Sequence, residues 1–218
     1  MHPEIHLVSQ GDMSLESLLA IAAEAHPFVD FIHLREKRRT AKELLRLVEE
    51  MSEQGVPLDK VIVNDRLDVG LACGAGGVQL AGHSLSVTAA RRLAPGVRLG
   101  CSVHSPEEAA AAAKEGADFC LYGHVYATAS KPGLPARGIG GLQAAVRACP
   151  VPVIAIGGIS PEQAREVLRT GAAGFAVLSG ICGAEDPASA ARAYREAAEA
   201  AFAFKEIAEG GGGVEGGH

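Results

Sequence analysis

One pattern repeats along the chain: a short apolar run rich in valine and isoleucine, a polar turn, then an Ala/Leu/Glu stretch with helical spacing. Eight such units can be drawn. The apolar runs predict strands over residues 5–9, 30–35, 60–64, 77–80, 98–104, 119–124, 153–157 and 174–179. Helical patterns follow them at 14–25, 40–53, 66–72, 87–93, 106–115, 140–148, 161–169 and 187–207. Two helix starts are written clearly. Ser105-Pro106-Glu107-Glu108 and Ser160-Pro161-Glu162-Gln163 each offer an N-cap serine, a proline at the first helical position, and an acid or amide able to complete a capping box. Eight β-then-α units in 218 residues match a single closed (β/α)8 TIM barrel, which can be built from about 200 residues. An open doubly wound sheet competes, but it would need an unusually long series of strands, and no GxGxxG follows the first. The barrel should occupy residues 1–207, with a glycine-rich, disordered tail over 208–218.

Hydrophobic residues make up 48% of the chain and tryptophan is absent, so the core must be built from Ala, Val, Leu and Ile. A formal net charge of -6 without a basic run argues against a nucleic-acid partner, yet it permits a local basic pocket for a small anion. Cys73, Cys101, Cys120, Cys149 and Cys182 lie far apart without a CxxC. They form neither a zinc knuckle nor a disulfide framework, and reduced, mostly buried thiols are expected. The opening MHPEIHLVSQ has no positive segment backed by an apolar one, and no apolar run reaches membrane-spanning length. A cytoplasmic protein with no membrane partner is expected.

A barrel carries its chemistry at the carboxyl ends of its strands, so those ends are taken together. The sixth strand runs into Gly123-His124, followed by a loop that contains Thr128 and Lys131 and is broken by Pro132, Gly133 and Pro135. His124 can give or take a proton near neutral pH; a structural, hydrogen-bonded histidine is the competing reading. In HLREK, residues His33, Arg35 and Lys37 alternate and share a face. Two cations at a strand end suggest an anion, against a solvated run that includes Arg38 and Arg39. Asn64-Asp65-Arg66 ends the third strand and Ser102-Val103-His104 the fifth. Turn or cap chemistry competes with ligand contact at the former; Ser102 is a candidate contact and His104 a structural residue. Gly157-Gly158 and Ser179-Gly180 end strands seven and eight, leaving backbone N–H groups open to a phosphate at the level where barrels usually bind one.

The motifs LREK, VNDR, GGVQL, SVHSPEEA, YGHVYATASKPG, VPVIAIGGI and GFAVLSGI, in this order and spacing, resemble the thiamine phosphate synthase superfamily over nearly the whole chain. The resemblance implies one of two activities. The synthase joins a pyrimidine pyrophosphate to thiazole phosphate with magnesium; its TenI-type relative, a thiazole tautomerase, aromatises a thiazole phosphate carboxylate without a cofactor. Gly123-His124 stands where the synthase pattern has Gly-Pro and the tautomerase a histidine. Asp65 matches the first metal-binding aspartate of the synthase, but Ser84 stands where the second would fall. A hard cation such as magnesium then loses an oxygen ligand. The expectation is a tautomerase with no bound metal: His124 as proton shuttle, Arg35 assisting, Gly157, Gly158, Ser179 and Gly180 on the phosphate, and Lys37, Asn64, Ser102, Thr128 and Lys131 as further substrate contacts. The resemblance also implies a homodimer and a small-molecule thiazole phosphate substrate. Three alternatives stand beside it: the magnesium-dependent synthase, a binding protein without turnover, and a metal hydrolase built on His33, His104 and His124.

Overall fold

The computed structural model describes residues 2–210. Its eight strands are β1 (Glu4–Val8), β2 (Phe31–Leu34), β3 (Val61–Asn64), β4 (Gly77–Leu80), β5 (Arg98–Val103), β6 (Phe119–Gly123), β7 (Val153–Ile156) and β8 (Gly174–Val177). They pair in parallel in chain order, and β1 returns to β8 in the register Ile5 to Phe175, so the sheet closes into a barrel. The helices are α1 (Leu15–Ala25), α2 (Ala41–Glu53), α3 (Leu67–Cys73), α4 (Val87–Leu93), α5 (Pro106–Glu115), α6 (Gly138–Ala148), α7 (Ala164–Arg169), α8 (Ser179–Cys182) and α9 (Pro187–Gly210). Of the expected tail, residues 211–218 lie outside the described residues. Among the described residues no helix is long and apolar enough to cross a membrane.

Local chemistry sets the helix starts. Thr40 and Glu43 close a capping box on α2, and Ser105 accepts from the Glu108 N–H at 3.2 Å to start α5. Ser160 and Gln163 also close a box, but on a 3-10 turn (Pro161–Gln163) that precedes α7 rather than on one continuous helix. The short α8 is an element that the eight-unit pattern did not predict. It begins with the serine and glycine assigned to phosphate.

Two apolar layers result. The outer one lies between strands and helices, with Ile5, Leu7, Ile32, Leu34, Val61, Val63 and Phe175 pointing towards the helical ring. The inner one fills the barrel with Val8, Phe119, Leu121, Ile154 and Ala176. Alternation along each strand divides the two sets. The same alternation puts polar residues on the inward face: His6, His33, Asn64, Gln79 and Ser102. The last helix ties the closure. Arg195 of α9 donates to Asp30 at 2.6 Å and to the Phe28 and Pro3 carbonyls at 3.2 Å, while Asp30 accepts from the Ile5 N–H at 2.7 Å.

Candidate active site

The Gly123–His124 peptide bond is cis, and it leads from β6 into the loop that ends at α6. Both ends of that loop are tied together. Arg137 donates from Nε to the Gly123 carbonyl and from its backbone N–H to the His124 carbonyl, each at 3.0 Å. Inside the loop the Lys131 N–H bonds to the Thr128 carbonyl at 3.1 Å, and Thr128 Oγ1 accepts from the Ser130 N–H at 3.3 Å. The turn thus formed carries Leu134 back over the histidine, where its carbonyl lies 3.3 Å from His124 Nε2.

His124 rests directly on the glycine loop after β7. A Cβ on Gly157 would lie 2.3 Å from His124 Cβ, and one on Gly158 2.4 Å from the Ala127 carbonyl oxygen. Both glycines have positive φ, +107° and +66°. Only glycine meets both demands, the backbone conformation and the close approach. Among the described residues their N–H groups have no acceptor, whereas the Gly157 carbonyl accepts from Tyr126 at 2.9 Å. The second glycine loop is built against the first. Tyr194 of α9 donates to the Ile159 carbonyl at 3.0 Å, and its hydroxyl would lie 2.2 Å from a Cβ on Gly180. One buried tyrosine thus holds the ends of β7 and β8 together. The Ser179 and Gly180 N–H groups open α8 and so have no partner within the helix.

Across the mouth, the end of β2 is braced from beneath. Ser9 accepts from the Arg35 N–H at 2.9 Å and donates to the buried Glu36 at 2.6 Å, which in turn pairs with Arg39 at 3.1 Å. Arg39 is thereby neutralised. The side chains of Arg35, Lys37 and Lys131 have no carboxylate partner among the described residues. They are cations available to an anion, as is the exposed Arg38 beside Lys37.

The ends of β3 and β4 differ from a two-carboxylate metal site. Asp65, held at φ +65°, accepts from the Ser84 hydroxyl at 2.5 Å on Oδ1 and lies 3.2 Å from His83 Nε2 on Oδ2. Magnesium does not fit these donors. The site has one carboxylate, its two oxygens are already engaged, and the serine presents its proton rather than a negative charge. The three histidines behind the metal-hydrolase alternative are likewise separated in role. His33 bonds to His6 inside the barrel at 2.8 Å, His104 pairs with Glu108 of α5 at 3.2 Å, and His124 lies in the mouth. Among the described residues no three His, Cys, Asp or Glu side chains are grouped to share a metal ion.

The floor beneath the mouth contains residues that motif reading missed. Gln79 of β4 is buried and donates to Ser102 at 3.0 Å. Three buried polar atoms there have no partner: His33 Nδ1, Asn64 Oδ1 and Gln79 Oε1. Gln79 was visible as a polar residue at an inward position of an otherwise apolar strand. Tyr194, in contrast, gives no signal within its helix.

Comparison with known proteins shows the family. A family model described as thiamine monophosphate synthase matches residues 5–181. A thiamine-phosphate synthase of Albidiferax ferrireducens is 41% identical over 196 residues, 87% of either chain. One from Pyrococcus furiosus is 38% identical over 169 residues, 77% of this chain and 82% of its own. The solved structure of a thiamine phosphate pyrophosphorylase from Pyrococcus furiosus superposes with a TM-score of 0.78 at 34% identity, covering 91% of this chain and 96% of the other. These relatives are named as synthases, not tautomerases. On the extent of the match and on these identities, the chain belongs to the thiamine monophosphate synthase/TenI family.

Proposed function

We propose that this member of the family is a thiazole tautomerase, which aromatises a dihydrothiazole phosphate carboxylate by moving one proton from ring C2 to the exocyclic carbon. The observation that carries the reading is the contact between His124 and Gly157. It sets a proton-transferring imidazole beside the N–H groups suited to the phosphate, so a substrate anchored there brings its exocyclic carbon to the ring. If the Leu134 carbonyl holds the proton on Nε2, Nδ1 is the free base. Nδ1 takes the C2 proton, the bonding electrons shift through the ring, and the same nitrogen returns the proton to the exocyclic carbon. Histidine ends as it began, and no redox step is involved. Strand β2 ends at Leu34, so Arg35 lies just past it and Lys37 in the exposed turn that follows, rather than on one strand face with His33. Neither has a carboxylate partner among the described residues, and in this reading they balance the charge of the carboxylate and of the anion formed midway. Thr128, Lys131, Asn64 and Ser102 complete the contacts. The competing synthase reading is favoured by the relatives' names and by the presence of Asp65, Thr128 and Lys131. Against it stand the Asp65, Ser84 and His83 arrangement and a histidine where the synthase pattern has proline.

The deciding experiment follows aromatic thiazole formation in metal-free buffer with wild type and His124→Ala. Wild-type acceleration over buffer that falls in the variant by about 10²- to 10⁴-fold, a range set by general acid–base catalysis, with product affinity retained, is the expected result. Wild type no faster than buffer, but active on pyrimidine pyrophosphate plus thiazole phosphate with magnesium, would establish the synthase instead. Binding without either reaction would leave a non-catalytic role.

A further inference from the structure

The loop that presents His124 also sets the direction of the two N–H groups suited to phosphate. Val125 donates from its N–H to the Ile156 carbonyl, and Tyr126 from its own to the Gly157 carbonyl, each at 2.9 Å. A peptide unit is planar, and in the trans form its C=O and N–H point in opposite directions. The Ile156–Gly157 and Gly157–Gly158 units are both trans. Holding their carbonyls therefore fixes where the Gly157 and Gly158 N–H groups point, and neither of these has an acceptor among the described residues.

The side chain of Tyr126 anchors this part of the loop. Its ring packs against the core, and its hydroxyl donates to Glu166 Oε2 on α7 at 2.6 Å. Burial first, and then the Glu166 carboxylate, push that hydroxyl above its ordinary range, so it stays a neutral donor. The fit against the glycines leaves no slack. A Cβ on Gly158 would lie 3.0 Å from Tyr126 Cβ, so a shift of Tyr126 is passed to the Gly157–Gly158 plane rather than absorbed. The chain itself closes a ring here. From Gly158 it runs through the turn Pro161–Gln163 into α7 and Glu166, and the Glu166–Tyr126 bond leads back to the Gly157 carbonyl. The tautomerase mechanism uses neither Tyr126 nor Glu166.

We propose that Tyr126 and Glu166 are positioning residues that hold the Gly157–Gly158 peptide with the Gly158 N–H turned to the substrate phosphate, a role that rests on the phosphate contacts of the function proposed above and not on which reaction follows. The grip on phosphate and the placing of His124 are then set by one loop, two residues apart.

Backbone nitrogen-15 NMR of the full chain, titrated with the thiazole phosphate carboxylate product, tests this. In wild type the Gly157 and Gly158 N–H signals should both shift as the probe binds. Tyr126→Phe removes only the hydroxyl and Glu166→Ala only its acceptor. Each should weaken binding about tenfold, the order of one hydrogen bond, and at saturation should reduce the Gly158 shift more than the Gly157 shift. Glu166→Gln keeps a carbonyl oxygen for Tyr126 and should restore both readouts. Wild-type affinity and shifts in Tyr126→Phe overturn the proposal. So does weaker binding with the Gly158 shift at saturation intact, the mark of a merely structural role. Wild type that does not bind the probe, or binds it with neither glycine signal moving, overturns the phosphate contacts themselves and this role with them. Only binding is read, so the outcome is independent of whether the protein turns the substrate over.

Discussion

Replacing Ser84 by aspartate reinstates the second carboxylate of the synthase pattern, and the structure sets what that should do. In the wild type the Ser84 hydroxyl accepts from the Ala81 N–H at 2.8 Å and donates to Asp65 at 2.5 Å. An aspartate can still accept from Ala81 but cannot donate to Asp65. Loss of a hydrogen bond to a charged group costs about 1.5–3 kcal/mol. Two carboxylates about 4 Å apart repel by about 1 kcal/mol in water and about 4 at an effective dielectric of about 20. The Asp65 side chain is 21% exposed at an open mouth, so the lower part of that range applies and the total is about 2–4 kcal/mol. For a domain of this size each kcal/mol is worth about 2–4 °C, so Ser84→Asp in chelator should melt about 5–15 °C below wild type. Magnesium should reverse the loss, since a ligand at about 100 times its Kd adds about 2.7 kcal/mol. The assay is thermal unfolding against magnesium at constant ionic strength, with Ser84→Ala as the control that loses the hydrogen bond without gaining a charge. The reasoning fails if the aspartate variant is as stable as wild type in chelator, or if wild type responds to magnesium as strongly as the variant.

Acid should expose the buried histidines. Burial, the leading cause, lowers the pKa of both His6 and His33, so the unfolded chain takes up protons that the native one refuses. This stability is complete above the unfolded value of about 6.5 and is lost as pH falls towards the folded values, by up to about 1.4 kcal/mol per pH unit and histidine. Urea unfolding at pH steps between about 7.5 and 5 should show the decline well above the window of Glu4 and Asp30, whose lowered values place their loss below the ordinary carboxylate range. A flat profile there would refute it. Gly180→Ala forces a Cβ to within 2.2 Å of the Tyr194 hydroxyl, which its bond to Ile159 holds in place. Overpacking should cost about 1–3 kcal/mol and weaken product binding by disturbing both glycine loops, with Tyr194→Phe in the same chain relieving part of the strain. Unchanged melting and affinity in Gly180→Ala would contradict the proposed linkage.

What could be read from the sequence was whatever local chemistry encodes. The period of the apolar runs gave eight strands in the right places, because alternation on a strand and a stripe on a helix are set within a few residues. The N-cap serines of α5 and of the turn before α7 were legible for the same reason. So was the place of Gly123-His124, Gly157-Gly158 and Ser179-Gly180 at the ends of β6, β7 and β8, since a strand end that turns polar marks the mouth of any such barrel. Ser84 could be aligned to a missing aspartate, but not seen to donate into Asp65. That contact depends on β3 and β4 lying side by side with Asn64 opposite Gln79. His6 and His33 stood in the sequence as two polar interruptions of apolar strands, 27 residues apart. Only the pairing of β1 with β2 brings their ring nitrogens to 2.8 Å, and only the filled barrel interior excludes solvent from both rings. Tyr194 reaches the glycine loops only because α9 packs beside α7 and α8. The chain's own pattern determines the barrel and where its mouth lies. The tertiary structure decides which groups in that mouth are neutralised, which remain free and which way their protons point, because charge and hydrogen bonding depend on neighbours far apart in sequence.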